Sequence, residues 1–334
     1  MKVDGVFEGG GVKGIALVGA IAETEARGYQ FENVAGTSAG AIVASLIAAG
    51  YTAAELKEII GALDYEKFKD KSMLDRIPLI GPAISLGLEK GIYEGNYFED
   101  WIRDLLVEKG VSTFGDLVIE EYKDDPRFRY RLQVVASDIS RGRMLVLPHD
   151  IKDYGFDPDK FEVARAIRMS MSIPFFFEPV VLEDSSANSY YIVDGGILSN
   201  FPVEVLDDGS SQPAWPTLGY KLVDPQESRP HSIHGPLSLF GALFATMMEA
   251  HDARYIQEKD FARTIPIPTG DVRTTDFDIS QEQVQWLYES GLKAAKDFFD
   301  GWDFDSYKKK YRQGPAAGRR ASLRLPKAGG AGGV

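Results

Sequence analysis

Apolar positions along the chain switch between two periods. Residues 2–8, KVDGVFE, alternate loosely and predict a strand. Glycines follow at once, and then Ile15, Val18, Ala22 and Ala26 recur at helical spacing up to Gly28. YQFENVAG, 29–36, predicts a short second strand, and SAGAIVASLIAAG, 38–50, an apolar helix closed by Gly50. In TAAELKEIIGAL, 52–63, Thr52 and Glu55 have the spacing of a capping box. Residues 70–95, with Pro78, Pro82 and several glycines, predict loop or short helix, and 95–109 return to a helical pattern. A strand over 130–137 is followed by GRMLVLP, a candidate hairpin arm. DKFEVARAIRMSMSIP predicts a helix stopped by Pro174, and SYYIVDGG and WPTLGYKLV two further strands. Long helices are expected over 236–258 and 281–299.

Strand and helix patterns thus alternate, with glycine turns at the carboxyl ends of strands. This is the signature of an α/β fold with a largely parallel sheet. The 334 residues suffice for one large domain or two ordinary ones. We expect a single domain over 1–305, with a motif-bearing core over 1–225 and a helical part over 232–305. The low-complexity stretch 313–334 is expected to be a disordered basic tail.

Charge narrows the partners. The formal net charge is -13, yet from Lys308 onward there are eight basic residues and no acid, so the body is more acidic still. Such a body argues against nucleic acid as a partner. The chain has no cysteine, which excludes disulfides and sulfur-bound zinc. The start, MKVDGVFEGGG, lacks a signal-peptide pattern, and no apolar run reaches the 18 or so residues of a membrane span. The expected location is the cytoplasm or the periphery of a membrane, with export by another route left open.

Two glycine clusters carry the candidate chemistry. In EGGGVKG, Gly9, Gly11 and Gly14 satisfy G-x-G-x-x-G between a strand and a helix. A dinucleotide site would also need an acid at the end of the next strand, and that strand ends in GTSAG. A Walker loop fails because Gly14 follows Lys13. What Gly9, Gly10 and Gly11 do offer is a nest of backbone amides suited to phosphate or to an oxyanion. Lys13 either braces the loop, contacts an anionic headgroup or is a solvated first-turn residue.

GTSAG is G-x-S-x-G, placed after a strand and before a helix as a nucleophile elbow is. Gly36 and Gly40 flank Ser38 and remove side chains where a sharp turn is crowded. The plainer alternative is a serine N-cap. A serine nucleophile needs a base. The histidines, His149, His231, His234 and His251, have no clear strand-end placement, although a triad through His234 or His251 stays open. Asp194 ends an apolar strand, and Gly195 and Gly196 let the chain turn tightly away. A carboxylate there is placed to take the serine proton, and an Asp-Gly-Gly turn is the structural alternative.

Taken together, these motifs resemble the patatin-like phospholipase family. GGGVKG is similar to its oxyanion loop, GTSAG to its nucleophile elbow and DGG to its aspartate motif. ARAIRMSMSIPFFFEP resembles the segment before the aspartate strand, and DGGILSNFPV carries the asparagine and proline common after it. Ser172 stands where alanine is common. The resemblance covers residues 5–204 and implies a three-layer α/β/α fold with a mostly parallel central sheet. It also implies a Ser38–Asp194 dyad, an oxyanion hole at Gly9, Gly10 and Gly11, and support from Lys13, Gly14, Gly36, Gly40, Gly195 and Gly196. The implied function is lipid acyl hydrolysis, as a phospholipase A or lysophospholipase, without metal or cofactor. A soluble carboxylesterase or thioesterase and a noncatalytic lipid-binding protein are the alternatives. The implied partner is a phospholipid or lysophospholipid, with peripheral membrane contact left open. Apolar segments 77–88 and 235–248 are candidates for an acyl channel or lid.

Overall fold

A computed structural model describes residues 1–63, 95–207, 212–224 and 258–312 apart from 275, 277 and 278, with isolated positions 233, 239, 242, 243, 246 and 247. The expectations for 70–94 and the tail, the segment 77–88 and most of 235–258 lie outside the described residues.

The chain begins with β1 (Lys2–Phe7), α1 (Gly14–Ala26), β2 (Gln30–Thr37), α2 (Ala39–Ala48) and α3 (Ala53–Gly61). Next come α4 (Asn96–Glu108), β3 (Leu132–Asp138), β4 (Arg143–Leu147), α5 (Val163–Ser170), β5 (Val180–Glu183), β6 (Ser189–Asp194) and β7 (Thr217–Val223). The last described elements are α6 (Glu258–Phe261), β8 (Thr264–Pro268), α7 (Gln281–Gly301) and α8 (Phe304–Tyr311).

The architecture is a three-layer α/β/α sandwich around a mostly parallel sheet. Alternation along each strand divides its side chains between two faces. Val3 and Phe7 join the main core with residues of α1, α2 and α7, whereas Val6 lies on the other face with Ala35, Val146, Val205 and Leu206. Strands β1, β2, β3, β7 and β8 are linked by parallel pairings, and β4, β5 and β6 enter through antiparallel ones.

The pairing along β3 sets up the functional region. Strand β4 occupies one edge, from Val134↔Leu147 to Asp138↔Arg143. The opposite edge is therefore shared. Strand β2 runs parallel along its first half and stops at Thr37↔Val135. Strand β6 runs antiparallel along its second half and stops at Ala136↔Asp194. Their carboxyl ends meet head to head at adjacent residues of β3, about 3.3 Å apart along the strand. The residue after β2 is Ser38. Asp194 thus reaches it from an antiparallel strand, not from the end of a parallel neighbour.

Two local findings differ from the sequence pattern. Helix α5 ends at Ser170, four residues before Pro174. Ser172 Oγ donates to the Arg168 carbonyl at 2.8 Å and competes for a backbone acceptor, while Ile173, preceding proline, disfavours helical torsions. Strands β5 and β8 and helix α8 are additions. Elsewhere the caps agree: Glu55 N–H donates to Thr52 Oγ1 at 3.3 Å, and Thr52 N–H donates to Glu55 Oε2 at 2.7 Å. Thr52→Ala is expected to destabilise the protein by about 1 kcal/mol in urea denaturation, because the first turn of α3 loses an acceptor.

Candidate active site

Ser38 sits at the junction of β2 and α2 with φ 53° and ψ -127°, a region that side-chain-bearing residues rarely occupy. The turn is tight enough to dictate its neighbours. A Cβ on Gly36 would meet the Gly40 carbonyl, and one on Gly40 would come within 2.6 Å of the Glu8 carbonyl. Ser38 N–H donates to Ser170 Oγ at 2.9 Å, and that hydroxyl donates to the Val135 carbonyl at 2.6 Å. The Ser38 hydroxyl faces Met171 Sδ at 3.5 Å.

Asp194 is fully buried. Its N–H donates to the Ser172 carbonyl at 2.9 Å, and its Oδ1 accepts Gly196 N–H at 2.8 Å. Oδ2 is buried and has no hydrogen bond of good geometry among the described residues. Burial raises the carboxyl from its ordinary 3.8 to about 7, with the Gly196 N–H and the Ser38 hydroxyl pulling in the opposite direction. Gly195 passes over β3, where a Cβ would strike the Val135 carbonyl.

The glycine loop lies against Ser38: a Cβ on Gly9 would come 3.1 Å from Ser38 Cβ. The loop is held from the Asp194 side by Asn200. Gly9 N–H donates to the Asn200 carbonyl at 3.2 Å, and Asn200 Nδ2 donates to the Gly9 carbonyl at 3.1 Å and to Glu8 Oε1 at 3.3 Å. Glu8 is itself buried, accepting from Lys221 Nζ at 2.7 Å and Leu222 N–H at 2.5 Å. The Gly9 amide is therefore committed and leaves no donor for a ligand. The Gly10 and Gly11 amides have no acceptor among the described residues. Gly11 has φ 53°, and a Cβ there would collide with the Thr274 carbonyl. Lys13 N–H closes the turn on the Gly10 carbonyl at 3.1 Å, and Gly14 N–H bonds the Gly11 carbonyl.

The sequence marks the segment Ser170–Met171–Ser172 by its family resemblance but assigns it no role at the site. Its first residue holds the Ser38 amide, its second touches the Ser38 hydroxyl and its third receives the Asp194 amide. Arg168, also buried, donates to Ser172 Oγ at 2.5 Å and to the Glu178 carbonyl at 3.0 Å, which gives the serine hydroxyl at 172 a partner that alanine would lack. The available signal was the position of Ser-Met-Ser directly ahead of Ile-Pro. His149 packs edge-on against Tyr130 at 5.4 Å, and His231, His234 and His251 lie outside the described residues. An apolar cleft is lined by Gly11 and Met171 together with Ile42, Val43, Ile60, Leu63, Phe98 and Phe177.

The profile of one family, described as Patatin-like phospholipase, matches residues 5–207. The chain belongs to the patatin-like phospholipase family. Membership implies a lipid-hydrolase activity of that general type and a lipid substrate. This patatin-like chain is 43% identical over 306 residues to YqhO, an uncharacterized protein of Bacillus subtilis (strain 168), covering 91% of the chain and 100% of YqhO. It is 26% identical over 201 residues to a cUMP-AMP-activated phospholipase of Escherichia coli, covering 59% of the chain and 55% of that protein. Its fold is similar to that of VipD from Legionella pneumophila, with a TM-score of 0.53 at 20% identity, over 89% of this chain and 66% of that one. Among the described residues no helix is long and apolar enough to cross a membrane.

Proposed function

We propose that this protein is a serine-dependent lipid acyl hydrolase, a phospholipase A or lysophospholipase, with Ser38 and Asp194 as its dyad. One observation carries the reading: a fully buried carboxyl, one oxygen of which has no well-formed hydrogen bond among the described residues, ends β6 where β2 delivers a serine in strained backbone. A buried polar atom without a partner is costly, and its retention beside a hydroxyl suits proton transfer. A carboxyl titrating near 7 is a far better base than one near 3.8, and is still ionised in part at neutral pH.

Asp194 takes the Ser38 proton as Oγ attacks the acyl carbonyl. The tetrahedral oxyanion accepts from the Gly10 and Gly11 amides, each such donor contributing about 3 kcal/mol. The carbonyl re-forms, the alcohol or lysolipid leaves with the proton held by Asp194, and an acyl-serine remains. Water, deprotonated by Asp194, then releases the fatty acid and restores Ser38. The apolar cleft beside Met171 supports an acyl chain over a polar one.

Fatty-acid release from mixed-acyl phosphatidylcholine and its lyso form, with excess EDTA, tests the reading on wild type, Ser38→Ala and Asp194→Ala. Release by wild type alone supports it, and the released chain identifies the bond cut. Turnover of short soluble esters with micellar lipid untouched would favour a carboxylesterase. Lipid binding with no release from any ester would favour a noncatalytic protein. Gly11→Ala is expected to lower kcat about 100-fold with KM little changed, because a side chain at that torsion displaces an amide that meets only the oxyanion. Steady-state kinetics on a chromogenic ester would check the split.

A further inference from the structure

We propose that Met171 is an oxidation site at which a hydroperoxide switches the enzyme off. The inference deepens the preceding reading and rests on Ser38 being the nucleophile. Met171 Sδ lies 3.5 Å from Ser38 Oγ, and its half-buried side chain lines the apolar cleft. The neighbouring Met169 is fully buried.

The backbone that carries the thioether is fixed on both sides of residue 171. Ser170 on one side is tied to Ser38 and Val135, and Ser172 on the other to Asp194 and Arg168. A thioether sulfur is a weak acceptor, so the Ser38 hydroxyl loses little in leaving it for Asp194. Oxidation reverses that preference. The peroxide O–O bond breaks, one oxygen forms an S–O bond, sulfur loses two electrons and the peroxide is reduced to water or an alcohol. The sulfoxide oxygen is a strong acceptor beside Ser38 Oγ. It competes with Asp194 for the serine proton and introduces a polar group into the lining of the apolar cleft.

The full-length protein is incubated with hydrogen peroxide and then with a fluorophosphonate that labels activated serines. Peptide mass spectrometry reads Ser38 labelling and Met171 sulfoxide in the same sample. Labelling is expected to fall at least about tenfold below that of untreated protein as Met171 oxidises, and to return when methionine sulfoxide reductases A and B act before the label is added. Met171→Leu, compared with its own untreated rate, is expected to keep that rate under peroxide. Undiminished labelling with Met171 oxidised overturns the switch. So does an unoxidised Met171 beside converted exposed methionines, or an equal loss in Met171→Leu. Absence of Ser38 labelling before peroxide is a separate failure: it removes the nucleophile, and the switch with it.

Discussion

Replacing Asp194 by asparagine is expected to abolish ester hydrolysis and, at pH 8, to raise the melting temperature. Both effects follow from the burial that lifts the carboxyl from 3.8 to about 7. Below about pH 3 the folded and unfolded chains both hold this proton, and the mismatch costs almost nothing. As pH rises from there the unfolded chain releases the proton while the folded one retains it, so stability falls. Above 7 the carboxylate is ionised in a dry site and the cost is complete. The amide has no such charge, can still accept from Gly196 N–H, and can offer its Nδ2 to Ser38 Oγ. Asp194→Asn should therefore gain roughly 2–4 kcal/mol at pH 8 and only about 0.5 kcal/mol near pH 4. Calorimetry at the two pH values decides the matter, since an equal shift at both would mean that burial of charge is not the cause. Activity should mirror the titration. Wild-type kcat/KM is expected to rise with pH through an apparent pKa of about 7. A profile with no inflection in that region would remove Asp194 as the base.

Much of this site is legible in the sequence because its parts are local. GTSAG and DGG specify turns, and a turn needs only the residues within it. The glycines at 36 and 40 are needed because carbonyls of the same turn and of the adjoining strand leave no room for a Cβ. What brings the parts together is not local. Strand β6 pairs antiparallel to β3 and takes up the edge where β2 stops, and sheet register is fixed by tertiary packing, not by any one strand. The alternating pattern of SYYIVD predicts the strand without its direction. Asp194 lies at the carboxyl end of its strand, where open α/β folds gather their chemistry, but that strand runs antiparallel to β3.

The missed elements have separate causes. TIPIP carries two prolines in five residues and reads against a strand, yet among the described residues β8 pairs only with β7, an arrangement that tolerates residues without N–H donors. VVLE is too short for its period to be distinctive. Gly9 could not be separated from Gly10 and Gly11 by sequence, because all three carry the same amide. Only the Asn200 carbonyl, arriving from beyond the aspartate turn, distinguishes the first.

Ser38 provides the second large effect, and it separates chemistry from strain. Ser38→Ala and Ser38→Gly should each lower kcat by at least about 10⁴-fold, since neither offers an oxygen to the acyl carbon. Their stabilities should differ. A non-glycine residue at φ 53°, ψ -127° carries roughly 1–3 kcal/mol of backbone strain. Alanine keeps a Cβ and hence the strain, so Ser38→Ala should melt close to wild type. Glycine occupies positive φ without penalty but enlarges the unfolded ensemble, which offsets part of the gain, by about 0.4–1 kcal/mol. The net expectation for Ser38→Gly is about 1 kcal/mol of added stability with the Ser170 hydrogen bond to the backbone amide retained. Urea denaturation of the three proteins at one pH measures this. If Ser38→Gly is the least stable of them, the turn is not strained, and the serine sits there as an ordinary start to α2. If it is the most stable and inactive, the chain holds its nucleophile in a conformation that folding alone would not select.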